Sequence, residues 1–215
     1  MTDVWSSRAE GYRSAVEQRE GEDLDLIVEW CAGAKTALDV ASGGGHVARR
    51  LREAGLDVIT CDPAPGMHPD VICRAEDLPF APGSFDVVVT RIAPHHFEDV
   101  PAAIAAMARA SRDQVIVEDT LYASDRVEEA ERLRDPTHIR SYSEAEWRSF
   151  LTDAGLVLED VRHVDKTHPL DAWLARTGCE GEEAERVCAL LAERTTPDGS
   201  GWTDVKILLR ARKGA

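Results

Sequence analysis

The chain has 215 residues and a formal net charge of −15. That length suits a single α/β domain with a helical lid. The charge repels phosphate backbones and acidic membrane surfaces, so neither nucleic acid nor membrane is an expected partner. No apolar run approaches the roughly 20 residues that cross a bilayer. Met1 to Glu20 is polar and lacks an apolar signal core, so a cytoplasmic protein is expected. The cysteines Cys31, Cys61, Cys73, Cys179 and Cys188 contain no C-x-x-C pair. No metal site or disulfide framework is expected, and Cys61 and Cys73 read as small core residues.

Strand-like and helix-like segments alternate in chain order, which predicts a parallel sheet covered on both faces. Arg8 to Trp30 reads as a helix, with Leu24, Ile27, Val28 and Cys31 on one face. Ala37 to Ala41 is a short apolar strand, followed by Ser42-Gly43-Gly44-Gly45. Val47, Leu51 and Ala54 mark the next helix, which Gly55 ends. Further strands are expected at Leu56 to Thr60, Asp70 to Cys73, Phe85 to Thr90 and Gln114 to Val117. Pro101 opens a helix between the last two, with Ile104 and Met107 inward. Ala123 to Leu133 is a polar helix, and Ser143 to Glu146 is a capping box. Leu156 to Val164 and Val205 to Arg212 read as the last strands, with Trp173, Leu174, Val187, Leu190 and Leu191 in a helical insertion between them. The expected layout is one domain over 1–215: lid helices in 1–35, a core in 36–120 and an insertion in 165–202.

A strand, a glycine-rich turn and a helix cradle nucleotide-like ligands, because glycines allow close approach and the helix start offers free amides. Asp62 ends the next strand, where a carboxylate can accept from both ribose hydroxyls. Gly43-x-Gly45-x-x-Ala48 also fits the loose dinucleotide fingerprint, so the loop alone leaves a dehydrogenase open. A short-chain dehydrogenase needs Tyr-x-x-x-Lys. Tyr12, Tyr122 and Tyr142 are followed four positions later by Val16, Arg126 and Glu146.

Leu38-Asp39-Val40-Ala41-Ser42-Gly43-Gly44-Gly45-His46 resembles the first motif of class I S-adenosylmethionine-dependent methyltransferases. Ala75 to Phe80, Gly83 to Val88 and Thr90 to Phe97 are similar to later motifs of the same family. Arg134 to Arg140, with the Ser143 box, resembles the type 11 subgroup similar to ubiquinone and menaquinone C-methyltransferases. The resemblance implies a Rossmann-like seven-stranded sheet whose last strand is antiparallel, and S-adenosyl-L-methionine as cofactor. It also implies residue roles. Asp39, Ser42, Gly43 and Gly45 surround the amino-acid end of the cofactor. Asp62 holds the ribose, with Pro63 beside it. Ala75 and Glu76 lie along the adenine edge, and Arg91 flanks the methionine moiety.

Two departures stand out. Family members usually carry a helix between the second and third strands, but Pro63 to Asp70 is short and holds Pro63, Pro65, Gly66 and Pro69, so a loop is predicted. Arg74 stands where an acidic residue often accepts from the adenine amino group, and a guanidinium cannot accept.

Methyl transfer from a sulfonium is an in-line displacement, so the protein aligns, excludes water and removes a proton where needed. The candidate bases are His95 and His96, after the fourth strand, then His138 and His46. His96 is the favoured one of the pair. Tyr12, His138, Arg140 and Trp173 are candidate substrate contacts, with His138 and Arg140 either fixing an anionic group or anchoring the lid. A small-molecule acceptor is expected. The alternatives are a methyltransferase-fold enzyme with other chemistry, such as a cyclase or decarboxylase, and a non-catalytic binding protein.

Overall fold

A computed structural model describes residues 4–15 and 18–214. Its sheet contains β1 (Thr36–Val40), β2 (Asp57–Asp62), β3 (Val71–Ile72), β4 (Phe85–Arg91), β5 (Ser111–Thr120), β6 (Leu156–Pro169) and β7 (Gly201–Lys213). The order is β3-β2-β1-β4-β5-β7-β6. The strands β1 to β5 run parallel, and β7 enters antiparallel between β5 and β6. The Rossmann-like fold with an antiparallel last strand is therefore present.

Alternation along the central strands feeds two cores. Leu38, Val88, Val115 and Leu209 face α4 (Val100–Ala110) and α6 (Glu144–Asp153), against Ile104, Met107, Trp147 and Leu151. Ala37, Val87, Val89, Ile116 and Leu208 face α2 (Glu22–Trp30) and α3 (His46–Glu53), against Leu24, Ile27, Val47 and Leu51. Continuous apolar runs are what a strand covered on both faces requires. A third cluster joins α5 (Asp125–Arg134) to the insertion helices α7 (Leu170–Ala175) and α8 (Gly181–Leu190) through Ala130, Trp173, Val187 and Trp202.

The predicted helix over Arg8 to Trp30 is corrected to two: α1 (Val4–Ser14) and α2. Gly21 precedes α2 at φ 145°, a conformation that L side chains rarely adopt; residues 16 and 17 lie outside the described residues. The last strands are longer than expected, so the helical insertion is narrower. Lys166, Thr167 and His168 pair in register with Asp204, Thr203 and Trp202. Residues 165–169 and 201–202 fall within the expected helical insertion, yet they belong to the paired ends of β6 and β7. Pro63 to Asp70 carries only a single 3-10 turn, at Pro65–Met67, in line with the predicted loop. The capping box at Ser143 and Glu146 is formed in both directions.

Topology gathers the functional edge. The carboxyl ends of β1, β2, β4 and β5 lie together, and the chain leaves β1 and β4 toward opposite sides. Ligands of open α/β sheets bind at such a switch point. Because β7 is antiparallel and β6 parallel to β5, the end of β6 and the start of β7 reach the same edge.

Candidate active site

A cavity of about 390 Å³ occupies this edge. One half is built by the turns after β1, β2 and β4. Ala41 and Ile92, just past β1 and β4, hold φ 55° and 51°. Positive φ is strained for a β-branched residue such as Ile92, and such strain collects at sites that must turn sharply under a ligand. Gly43 and Gly45 also lie at positive φ. The Gly43 N–H donates to Asp62 Oδ2 at 2.9 Å, and the Ala64 N–H to Asp62 Oδ1 at 2.9 Å. Both carboxylate oxygens are thus tied to turn amides, which fixes Asp62 in place at the end of β2. The Ala48 N–H donates to Asp39 Oδ2 at 3.0 Å, and burial pushes Asp39 up to about 7.

A lid covers this half. Trp5, Ala9 and Tyr12 of α1 pack on Ala64 and Met67 of the loop after β2. The Gly66 N–H donates to Ser6 Oγ at 2.8 Å, and Arg13 donates to the Gly66 carbonyl at 2.8 Å. The loop that replaces a helix is thus the seat of α1. A Cβ on Gly44 would lie 2.7 Å from the Tyr12 carbonyl oxygen, so this glycine is needed for the lid's close approach.

The other half is crowded with titratable groups. His95 Nδ1 lies 2.5 Å from Asp119 Oδ1, at the end of β5. His96 Nδ1 lies 2.9 Å from the Thr137 carbonyl oxygen, and Trp5 meets its ring edge-on at 4.6 Å. Burial lowers the pKa of both histidines, and it pushes Asp119 up to about 7. Opposite them, Lys206 Nζ donates to Thr120 Oγ1 at 2.8 Å and to Asp204 Oδ2 at 2.6 Å, with His168 beside them. Trp173 closes the wall, and the Arg134 guanidinium stacks 4.1 Å over its ring.

Asp39, Ser42, Gly43, Asp62, Pro63, Ala75, Glu76, Arg91, His95, His96, Tyr12 and Trp173 all line the cavity. Gly45 lies behind its wall and caps α3. His138 is turned to Glu128, 3.2 Å away, and packs behind His95. Arg140 pairs with Glu146 outside the cavity. Neither of these two is placed to hold an anionic group in the cavity. Arg91 is held by Glu118 at 2.8 Å and by Asp23, which also meets Lys166 at 2.8 Å. Arg74 is taken up at the rim by Glu98 and Glu76, so its cation is neutralised there. His46 donates to the lid rather than facing the cavity centre.

Sequence reasoning missed Asp119, His168, Asp204 and Lys206. Asp119 was legible only as the polar end of a buried strand at the carboxyl edge, and the other three carry no local motif.

The chain's relatives agree with this architecture. A methyltransferase domain family model matches residues 12–161. The Bacillus subtilis protein named uncharacterized methyltransferase YcgJ is 28% identical over 208 residues, covering 85% of this chain and 82% of its own. The crystal structure of YcgJ matches with a TM-score of 0.79 at 23% identity, over 90% of this chain and 98% of that one. A malonyl-[acyl-carrier protein] O-methyltransferase of Serratia marcescens is 26% identical over 187 residues, covering 82% of this chain and 62% of its own. The chain belongs to the methyltransferase domain family. It is an S-adenosylmethionine-dependent methyltransferase of the class I fold.

Proposed function

We propose that this enzyme, working as one domain, binds S-adenosyl-L-methionine in the glycine-loop half of the cavity and methylates a small polar molecule in the other half. The observation that carries this reading is the continuity of the cavity at the carboxyl edge. It joins the Gly43–Asp62 cradle to a wall of His95, His96, Lys206, His168 and Asp204 under one lid. An apolar, quinone-like substrate would strip water from these groups and give nothing back, whereas a polar one replaces the lost hydrogen bonds.

The cradle fits the cofactor. Asp62 can accept from both ribose hydroxyls, with Pro63 at its side. Ser42, Gly43 and Asp39 face the amino-acid end. Ala75 and Glu76 border the adenine, and Glu76 keeps its own carboxylate there despite Arg74. Arg91 acts through the buried network that shapes the wall. When bound, the cofactor supplies a methyl carbon made electrophilic by its sulfonium charge. The protein's share is to hold the acceptor in line, keep water out under α1, and take up a proton at a histidine. Tyr12 and Trp173 border the acceptor.

Incubation with methyl-labelled S-adenosylmethionine and the small-molecule fraction of a bacterial extract tests the reading. A labelled, water-soluble product of low mass is expected. Label confined to protein or nucleic acid added in parallel would contradict it.

A further inference from the structure

The structure assigns a further role, resting on the methyltransferase reading above: Asp119 and His95 form a proton-accepting pair, and the acceptor atom is a hydroxyl oxygen. The contact is short, at 2.5 Å, and Asp119 is fully buried at the end of β5. A contact of that length between a ring nitrogen and a carboxylate oxygen holds one proton. With Nδ1–H donating to the carboxylate, the lone pair of the neutral ring sits on Nε2. His95 lines the cavity, and Nε2 has no hydrogen-bond partner among the described residues.

His96 presents a ring to the same space, but its Nδ1 faces the neutral carbonyl of Thr137. A carbonyl fixes a tautomer; it does not neutralise an imidazolium. Asp119 does both for His95. The pair is the difference between a ring that is oriented and one that can carry a proton through the reaction. This moves the favoured base from His96 to His95.

The step balances simply. His95 Nε2 takes the hydroxyl proton as the oxygen lone pair forms the O–CH3 bond. The S–CH3 bond breaks, and its electron pair returns to sulfur as a neutral thioether. The imidazolium, held by Asp119, then gives its proton to solvent. An amine or a thioether attacks with a free lone pair and needs no proton removed as the bond forms; an un-ionised hydroxyl does. A carbon acid also needs a base, but the wall of Lys206, His168 and Asp204 supplies hydrogen bonds that a hydroxylated acceptor uses, so pair and wall together point to a hydroxyl.

The surroundings set the direction of the pair's titration. His96 and His138 face the ring at 4.1 and 5.3 Å, with Lys206 from β7 and Arg134 and Asp135 from the end of α5 near it. Burial and the neighbouring cations disfavour charge on His95, so the ring is neutral at pH 7. The pair gains its second proton as pH falls through about 7, where burial has pushed Asp119, and the base function is lost on that side.

Nitrogen-15 NMR of the histidine-labelled protein tests the pair without any substrate, with His95 assigned by its absence in His95→Gln. At pH 8 the wild type should show His95 protonated on Nδ1 and bare on Nε2. In Asp119→Ala and Asp119→Asn the proton should move to Nε2 in most molecules. A wild-type ring protonated on Nε2, or an Nδ1 proton unmoved in both variants, overturns the pair. S-Adenosylhomocysteine titrated into the same samples should bind the variants within about threefold of wild type, because Asp119 lies away from the cradle. Failure of the wild type to bind it sinks the cofactor reading instead. A product carrying its label on nitrogen, sulfur or carbon overturns the hydroxyl assignment.

Discussion

His46 Nε2 lies 2.9 Å from the carbonyl oxygen of Tyr12, so the first residue of α3 holds the C-terminal part of the lid helix α1 over the glycine loop. At the N-terminal end of α1, Ser6 is held by the Gly66 amide. The lid is clasped at two points, both on turns that build the cavity.

That clasp makes Gly66 sensitive. A Cβ there would lie 2.6 and 2.7 Å from the Cβ and Cα of Ser6, so backbone must shift. Overpacking of this kind costs about 1–3 kcal/mol. In Gly66→Ala the amides of α1 should exchange with deuterium about tenfold faster or more, while those of α4 are unchanged. Equal exchange in α1 would show that the lid does not depend on this seat.

Arg91 sits between two buried carboxylates, Asp23 and Glu118. Removing one partner of a buried ion network leaves uncompensated charge and costs about 3–5 kcal/mol. Arg91→Met should lower the denaturant-derived stability by that order, whether or not cofactor is present. A loss under about 1 kcal/mol would return Arg91 to a purely ligand-facing role.

His96 links stability to pH. Its unfolded pKa is about 6.5, and burial, with His95 beside it, takes the folded value down to about 3. The folded state therefore binds fewer protons in this window. The stability from keeping His96 neutral is complete above pH 6.5 and is lost as pH falls toward about 3. Asp39, Glu118 and Asp119, pushed up to about 7 by burial, act with the opposite sign. Comparing wild type with His96→Gln removes their contribution. The wild type should lose up to about 1.4 kcal/mol more per pH unit below 6.5. Superimposable stability–pH curves would contradict the neutral buried ring.

The glycine-loop half of the cavity was legible in the sequence because its signals are local. A strand buried on both faces, a turn that needs Gly43 and Gly45 at positive φ, and a carboxylate at the end of the next strand all fall within a short stretch. The break between α1 and α2 was not legible, since a single Gly21 interrupts an otherwise helical pattern. The half lined by the histidines and Lys206 was the least legible. His168, Asp204 and Lys206 reach the cavity only because β7 runs antiparallel beside β5. His138 and Arg140 look suited to a substrate by position, but Glu128 and Glu146 claim them first. Asp119 shows its meaning only once His95 is seen against it.

The central claim is that the Gly43–Asp62 cradle holds the cofactor. Calorimetric titration of S-adenosylhomocysteine into wild type and Asp62→Ala tests it most directly. The wild type should bind one equivalent. Asp62→Ala should bind more weakly by about 1–3 kcal/mol, because ribose hydroxyls lose a charged acceptor and the Gly43 amide loses its anchor. Equal affinity in the two proteins, with both folded, would contradict the account.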